Sequence, residues 1–132
     1  MDLQKPTVMV IEDEKLLLQA IAKKLEINGI KYVSCIGGQQ AFDYLTNSLQ
    51  LPDLIWLDYY LRDMNGLEVM EKLKKNPKWA NIPVIIVSNS ADKNKVSSIL
   101  ALGASKYFLK TEYRLDEIVN AILEMIDKKA LQ

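Results

Sequence analysis

The chain has 132 residues, 49% of them hydrophobic and 26% charged, enough for one domain with a buried core. Its 17 basic and 17 acidic side chains cancel, which removes any global pull toward nucleic acid or anionic membrane; with no histidine, a Ser-His-Asp or Cys-His relay, a His-ligated zinc and a phosphohistidine formed on this chain are all excluded. The single cysteine, Cys35, reads as a buried thiol in a reducing, cytoplasmic setting, the opening stretch from Met1 to Pro6 lacks a signal-peptide core, and no run is long enough to span a membrane.

Strand-like and helix-like patterns alternate along the chain. Thr7 to Ile11 is a short β-type run that ends in Glu12-Asp13-Glu14. From Glu14 to Asn28, Leu17, Leu18, Ile21, Ala22 and Leu25 recur at helical spacing, and Gly29 is the stop signal. Lys31 to Cys35 is expected as the second strand and Gln39 to Asn47 as a short helix. Leu54 to Leu57 is the third strand and runs straight into Asp58; a helix follows from Gly66 to Lys75, closed by Asn76-Pro77. Val84 to Val87 ends in Ser88, and a helix from Asp92 to Leu102 turns at Gly103. Lys106 to Leu109 ends in Lys110, and Leu115 to about Lys128 carries a last apolar stripe.

Strands that are apolar nearly throughout suit a parallel sheet covered on both faces, with right-handed crossovers placing helices on either side. The expectation is an α/β fold, a five-stranded doubly wound parallel sheet forming a single domain over residues 1–132. Ligands of such sheets bind beyond the carboxyl ends of the strands, near the switch in strand order. Glu12, Asp13, Asp58, Ser88 and Lys110 all fall there.

Three carboxylates sharing one pocket repel one another by about 3 kcal/mol per pair at roughly 5 Å and an effective dielectric of about 20. A hard cation removes that cost, and Mg2+ suits it because it accepts one or two carboxylates and keeps waters that phosphate oxygens can replace. No glycine-rich phosphate cradle follows any strand, which argues against a bound nucleotide. Asp58 is then the candidate nucleophile for an aspartyl phosphate, with Lys110 pairing to one phosphoryl oxygen and Ser88 donating to another. Taken singly, Glu12 or Asp13 also reads as a helix N-cap, Asp58 as a cap or turn residue, Ser88 as a loop hydroxyl and Lys110 as a solvated charge.

In this order, the residues resemble the receiver domain of two-component response regulators, the CheY-like family, over the full chain. That resemblance implies a flavodoxin-like sheet in the order 2-1-3-4-5. It implies that Glu12 and Asp13 are the metal-binding acidic pair, Asp58 the phosphoacceptor and a metal ligand, and Tyr60 the residue whose backbone carbonyl completes the metal site. Ser88 becomes the hydroxyl switch, Tyr107 the aromatic switch and Lys110 the phosphate-pairing lysine. The implied partners are a sensor histidine kinase or histidine phosphotransfer protein, a downstream protein target or output domain, and a second copy in a phosphorylation-dependent homodimer. The implied role is a signalling switch rather than a turnover enzyme.

Several positions depart from the family's usual pattern. Arg62 stands where a proline is common and is expected to loosen its loop. Thr111 replaces the proline after Lys110, where the family has a cis bond; a cis bond to a non-proline residue costs roughly 2.5–4 kcal/mol, and the expectation is a cis or strained bond in the phosphorylated state. Two other functions remain open: a receiver-like binding module that is never phosphorylated, and an aspartate-nucleophile phosphohydrolase. The latter usually carries an acid two residues after the nucleophile, where this chain has Tyr60. Leu102 and Leu123 are expected on an exposed readout surface, and Leu16 on a surface touching a kinase or phosphotransfer helix.

Overall fold

Residues 5–90 and 92–130 are described by the computed structural model, side chains to residue 128; Met1 to Gln4, read above as lacking a secretion signal, lie outside them, as do residues 91, 131 and 132. The chain alternates β1 (Thr7–Ile11), α1 (Lys15–Ile27), β2 (Lys31–Cys35), α2 (Gly38–Asn47), β3 (Leu54–Asp58), α3 (Gly66–Lys75), β4 (Val84–Ser88), α4 (Lys93–Ala101), β5 (Lys106–Leu109) and α5 (Leu115–Ala130). All strand pairs are parallel, in the order β2-β1-β3-β4-β5. This is the expected flavodoxin-like arrangement.

The period-two alternation of strand side chains divides the core into two layers. Val8, Val10, Leu54, Trp56, Ile85 and Val87 face α1 and α5, where Leu18, Ile21, Leu25, Ile118, Val119 and Ile122 meet them. Met9, Ile11, Ile55, Leu57, Val84 and Ile86 face the opposite way, toward Phe42, Leu45, Val69, Met70, Leu73 and Ile99 of α2, α3 and α4. Local signals set where the helices stop and start. Gly29 and Gly103 have φ of 76° and 109°, and the amides that follow, of Ile30 and Ala104, donate to Leu25 and Ile99, which caps α1 and α4 in Schellman fashion. Asn65 and Glu68 form a reciprocal capping box at the start of α3, and Asp92 caps α4.

Two expectations are corrected. Full burial holds for β3 and β4 and nearly for β1, but β2 is exposed over most of its length and β5 is half exposed, because each lies at an edge with one neighbour. Leu102 and Leu123, expected on an exposed readout surface, are half-buried and pack against the two core layers. Leu16 is 78% exposed, as a surface contact residue must be.

Candidate functional site

The parallel sheet brings its carboxyl ends to one edge, and the chemistry gathers there. Glu12 follows β1, Asp58 closes β3, Ser88 closes β4 and Lys110 follows β5; Asp13 sits in the turn into α1. A carboxylate oxygen from each of Glu12, Asp13 and Asp58 lies within 4.8 Å of the other two. Lys110 Nζ enters from the far side, donating to Glu12 Oε1 at 3.0 Å and lying 3.6 Å from Asp58 Oδ1. Structure thus unites Glu12, Asp13, Asp58 and Lys110 in one pocket, as expected. The N-cap reading of Glu12 has a partial counterpart: its second oxygen accepts from the Glu14 amide at 3.0 Å.

Burial makes this cluster electrostatically demanding. Glu12 is 1% exposed and Asp58 5%. Desolvation first, and then the charge of Glu12, push the Asp58 carboxyl up to about 7, against the pull of Lys110 and the Tyr60 amide. One ammonium faces three carboxylates, with the exposed Arg62 guanidinium 4.0 Å from Asp13, which leaves a negative surplus in a largely buried pocket. Oxygen donors in surplus negative charge fit a hard divalent cation, and fit a soft thiophilic one poorly. The only cysteine, Cys35, is buried, and burial raises its thiol to about 11.

Ser88 and Tyr107 do not touch directly; Ser90 links them. The Ser90 amide donates to Ser88 Oγ at 3.1 Å, and the Tyr107 hydroxyl donates to the Ser90 carbonyl at 2.7 Å. Ser88 is fully buried and Tyr107 half-buried. Tyr60 is 45% exposed, and its hydroxyl receives a hydrogen bond from Lys95 of α4, whose ammonium also lies 4.7 Å from the Tyr60 ring centre and 5.8 Å from that of Tyr59. That contact lowers the Tyr60 phenol below its ordinary range.

Ser90, Lys95 and Asp63 were not singled out from the sequence. Ser90 carries its weight through main-chain groups, which no residue type announces. Lys95 reaches Tyr60 across 35 positions, and Asp63 reaches α2 across 24 and 25, with no local periodicity to mark either contact.

One expectation about loops changes here. Arg62 does not loosen the loop after Asp58: its amide, a group proline lacks, donates to Asp13 Oδ2 at 3.0 Å. The described residues contain no cis peptide bond, so Lys110-Thr111 is trans in this unphosphorylated chain and Lys110 reaches Glu12 and Asp58 from it; the cis or strained bond is an expectation for the phosphorylated state alone.

A doubly wound sheet in this order, with carboxylates, a hydroxyl and a lysine at its carboxyl edge, is the class of α/β domain that takes its ligand at the strand ends. Comparison with known proteins narrows the class. The response regulator receiver domain family matches residues 8–123, and the chain belongs to it. It is 30% identical over 105 residues to the phosphate regulon transcriptional regulatory protein PhoB of Rhizobium meliloti, covering 80% of this chain and 45% of that protein. It is 28% identical over 108 residues to the two-component response regulator ORR8 of Oryza sativa subsp. indica, covering 82% and 88%. The chain spans about half the length of the first three curated relatives, at 45%, 44% and 51%. Among solved structures, the receiver domain of the Francisella response regulator 1452 superposes with a TM-score of 0.83 at 27% identity, covering 95% of this chain and 99% of the other. A CheY-like receiver domain protein from Methanospirillum hungatei gives 0.86 at 21% identity, covering 96% and 98%, a likeness of fold.

The protein is therefore a receiver domain of the two-component type, a class of signalling switch. Receiver domains bind Mg2+ at an acidic pocket, and the donor set of Glu12, Asp13 and Asp58 fits that ion. Among the described residues no helix is long and apolar enough to cross a membrane.

Proposed function

We propose that this chain is a phosphorelay receiver in the cytoplasm, taking a phosphoryl group from a partner's phosphohistidine onto Asp58 and answering with a change in its protein-binding surface. The observation that carries this reading is the convergence of Asp58, Glu12, Asp13 and Lys110 at one end of the sheet. The donor belongs to a sensor histidine kinase or a histidine phosphotransfer protein, because this chain has no histidine of its own. A phosphoryl P–N bond breaks on the partner, a P–O bond forms to an Asp58 oxygen, and the imidazole leaves with its electron pair.

Glu12, Asp13, Asp58 and the Tyr60 backbone carbonyl are the ligands for Mg2+. When bound, the ion supplies positive charge that offsets carboxylate repulsion and the charge of the arriving phosphoryl oxygens. Lys110 keeps its ammonium beside Asp58 and pairs with a phosphoryl oxygen. The site promotes its own phosphorylation and dephosphorylation, yet its output is a conformational state, so the protein is a switch and not a turnover enzyme.

Signal leaves through Ser88 and Tyr107. An aspartyl phosphate brings up to about two negative charges to the site, and the Ser88 hydroxyl turns to donate to it. Ser90 then loses the acceptor for its amide, its loop shifts, and the carbonyl that holds the Tyr107 hydroxyl moves with it. Tyr107 takes a more buried rotamer and the surface of α4, β5 and α5 changes shape. Two charge-assisted hydrogen bonds at about 1.5–3 kcal/mol each reach the roughly 5.5 kcal/mol that inverts a 1:99 equilibrium. A downstream target, an output domain or a second copy of this chain reads that surface, and the whole length, residues 1–132, serves as one receiver unit.

Incubation with a small acyl phosphate and Mg2+, followed by intact mass over time, tests the reading. A single phosphoryl that persists or decays slowly is the expected result. Rapid repeated turnover of the donor would indicate a phosphohydrolase, and no addition would indicate a binding module that is not phosphorylated.

A further inference from the structure

The loop from Tyr59 to Asn65 runs past the pocket, where the Tyr60 amide bonds Asp58, and nearly every residue in it is tied down. The Gly66 amide donates to the Tyr59 carbonyl at 2.6 Å, and Tyr60 and Asn65 form an antiparallel bridge. Arg62 donates its amide to Asp13, and its guanidinium lies 4.0 Å from the same oxygen. Asp63 reaches in the other direction. Its two carboxylate oxygens accept from the amides of Gly38 and Gln39, at 3.0 and 2.9 Å, at the start of α2. The opposing surface is built of glycine on both sides of that contact: a Cβ at Gly37 would meet Asp63 at 3.0 Å, and one at Gly38 would overlap the Met64 side chain.

We propose that Asp63 is a positioning residue for the acidic pocket: by clipping its loop to the Gly37-Gly38 turn of α2, it aims the Arg62 amide at Asp13 and the Tyr60 carbonyl at the metal site. The logic is geometric. Without proline's fixed φ at residue 62, the direction of the Arg62 amide, which bonds Asp13, is set by the residues around it. Asp63 is the adjacent residue and is held to a different element by two hydrogen bonds. Met64 fills the space that Gly38 leaves open and Asp63 the space at Gly37, so the clip is a docked surface and not a lone cap. A lone cap on α2 would ask only for an oxygen at these two amides, whereas here side chains of Asp63 and Met64 also press against the Gly37 and Gly38 backbone. The inference rests on reading Asp13 and Tyr60 as metal ligands, but its first readout needs no metal.

Amide hydrogen exchange by NMR on the metal-free full chain, in wild type, Asp63→Ala and Asp63→Asn, is that readout. Asp63→Ala is expected to speed exchange at Gly38 and Gln39 and, decisively, at Arg62, by roughly fivefold, the equilibrium equivalent of losing a typical cap. The melting temperature of metal-free protein should fall by only a few degrees, the cost of one cap, while Mg2+ affinity falls by a similar factor to the exchange. Asp63→Asn keeps one acceptor oxygen and should recover part of both effects, and it carries the same comparison should Asp63→Ala fold poorly. Faster exchange confined to Gly38 and Gln39 would overturn the proposal, because Asp63 would then be only a cap for α2. Faster exchange at Arg62 in a protein whose wild type shows no Mg2+ response would sustain the positioning of Asp13 and sink the metal reading instead.

Discussion

The body of the sheet and its carboxyl edge are made from the same strands and obey opposite rules. In β3, Leu54 to Leu57 are fully buried among aliphatic neighbours, and each adds stability in proportion to the apolar surface it removes from water. One residue further, Asp58 is as nearly buried but faces two more carboxylates and one ammonium, so its burial costs stability when no cation shares the pocket. The core holds the fold; the edge holds unsatisfied charge at the end of a rigid support. The contrast explains how a small event at the edge is transmitted. On the proposed function, a densely packed sheet would resist the strain and leave Ser88, Ser90 and Tyr107 to take it up.

Breaking the core should have the largest effect and the least specificity. Leu57→Ala, directly beneath Asp58, should destabilise by about 2–5 kcal/mol, read by denaturant unfolding, without changing which residue takes phosphate. Lys110→Ala comes next. Among the described residues it removes the only ammonium bonded to Glu12, which is 1% exposed, and should cost about 3 kcal/mol. It should also slow labelling by acyl phosphate. A stability loss within error of zero would mean that Lys110 is a solvated charge after all.

Asp58→Asn should move stability the other way. With the native carboxyl at about 7 and an unfolded value near 3.8, the folded state keeps between those pH values a proton that the unfolded chain has released. Stability contributed by Asp58 therefore falls as pH rises from about 4 to about 7, by on the order of 4 kcal/mol, and levels off above. The substituted amide cannot ionise, so the metal-free variant should be more stable than wild type at pH 8 and similar at pH 4. Mg2+ should stabilise wild type at pH 8 and leave the variant nearly unmoved. Chemical unfolding in a Trp79→Phe background, which leaves Trp56, buried two positions before Asp58, as the sole tryptophan reporter, gives all six numbers. Parallel curves for the two proteins across pH would show that Asp58 feels no special field.

The smallest expected change lies at the switch. Ser88→Ala should still accept phosphate and Tyr107→Phe should cost about 1 kcal/mol for the bond to the Ser90 carbonyl. Tyr107 in phosphorylated Ser88→Ala should keep the NMR environment of the unphosphorylated protein. A wild-type shift in that variant would disconnect Ser88 from Tyr107.

Much of the fold was legible because its determinants are local. Apolar runs ending in acid, hydroxyl or lysine marked the strands and their active ends, and Gly29 and Gly103 marked helix stops that their positive φ later explained. Edge position was harder to read: Lys31 and Ser34 make β2 less apolar than the central strands, but its exposure follows from having no neighbour beyond it, which is a property of the whole sheet. The site's cast was readable from residue types at strand ends; its supports were not. Arg62 reads as a lost proline, yet its amide bonds Asp13, and Asp63 carries no signal of its own, yet it docks a loop on α2. Such contacts depend on where two distant segments meet, and main-chain donors have no signature in the sequence.

The central claim is that Asp58 carries the phosphoryl. Wild type and Asp58→Asn, incubated side by side with a small acyl phosphate and Mg2+ and compared by intact mass, test it most directly. The account predicts one added phosphoryl on wild type, none on wild type when the ion is chelated, and none on folded Asp58→Asn. Equal labelling of the two proteins would place the chemistry on another residue and contradict the account.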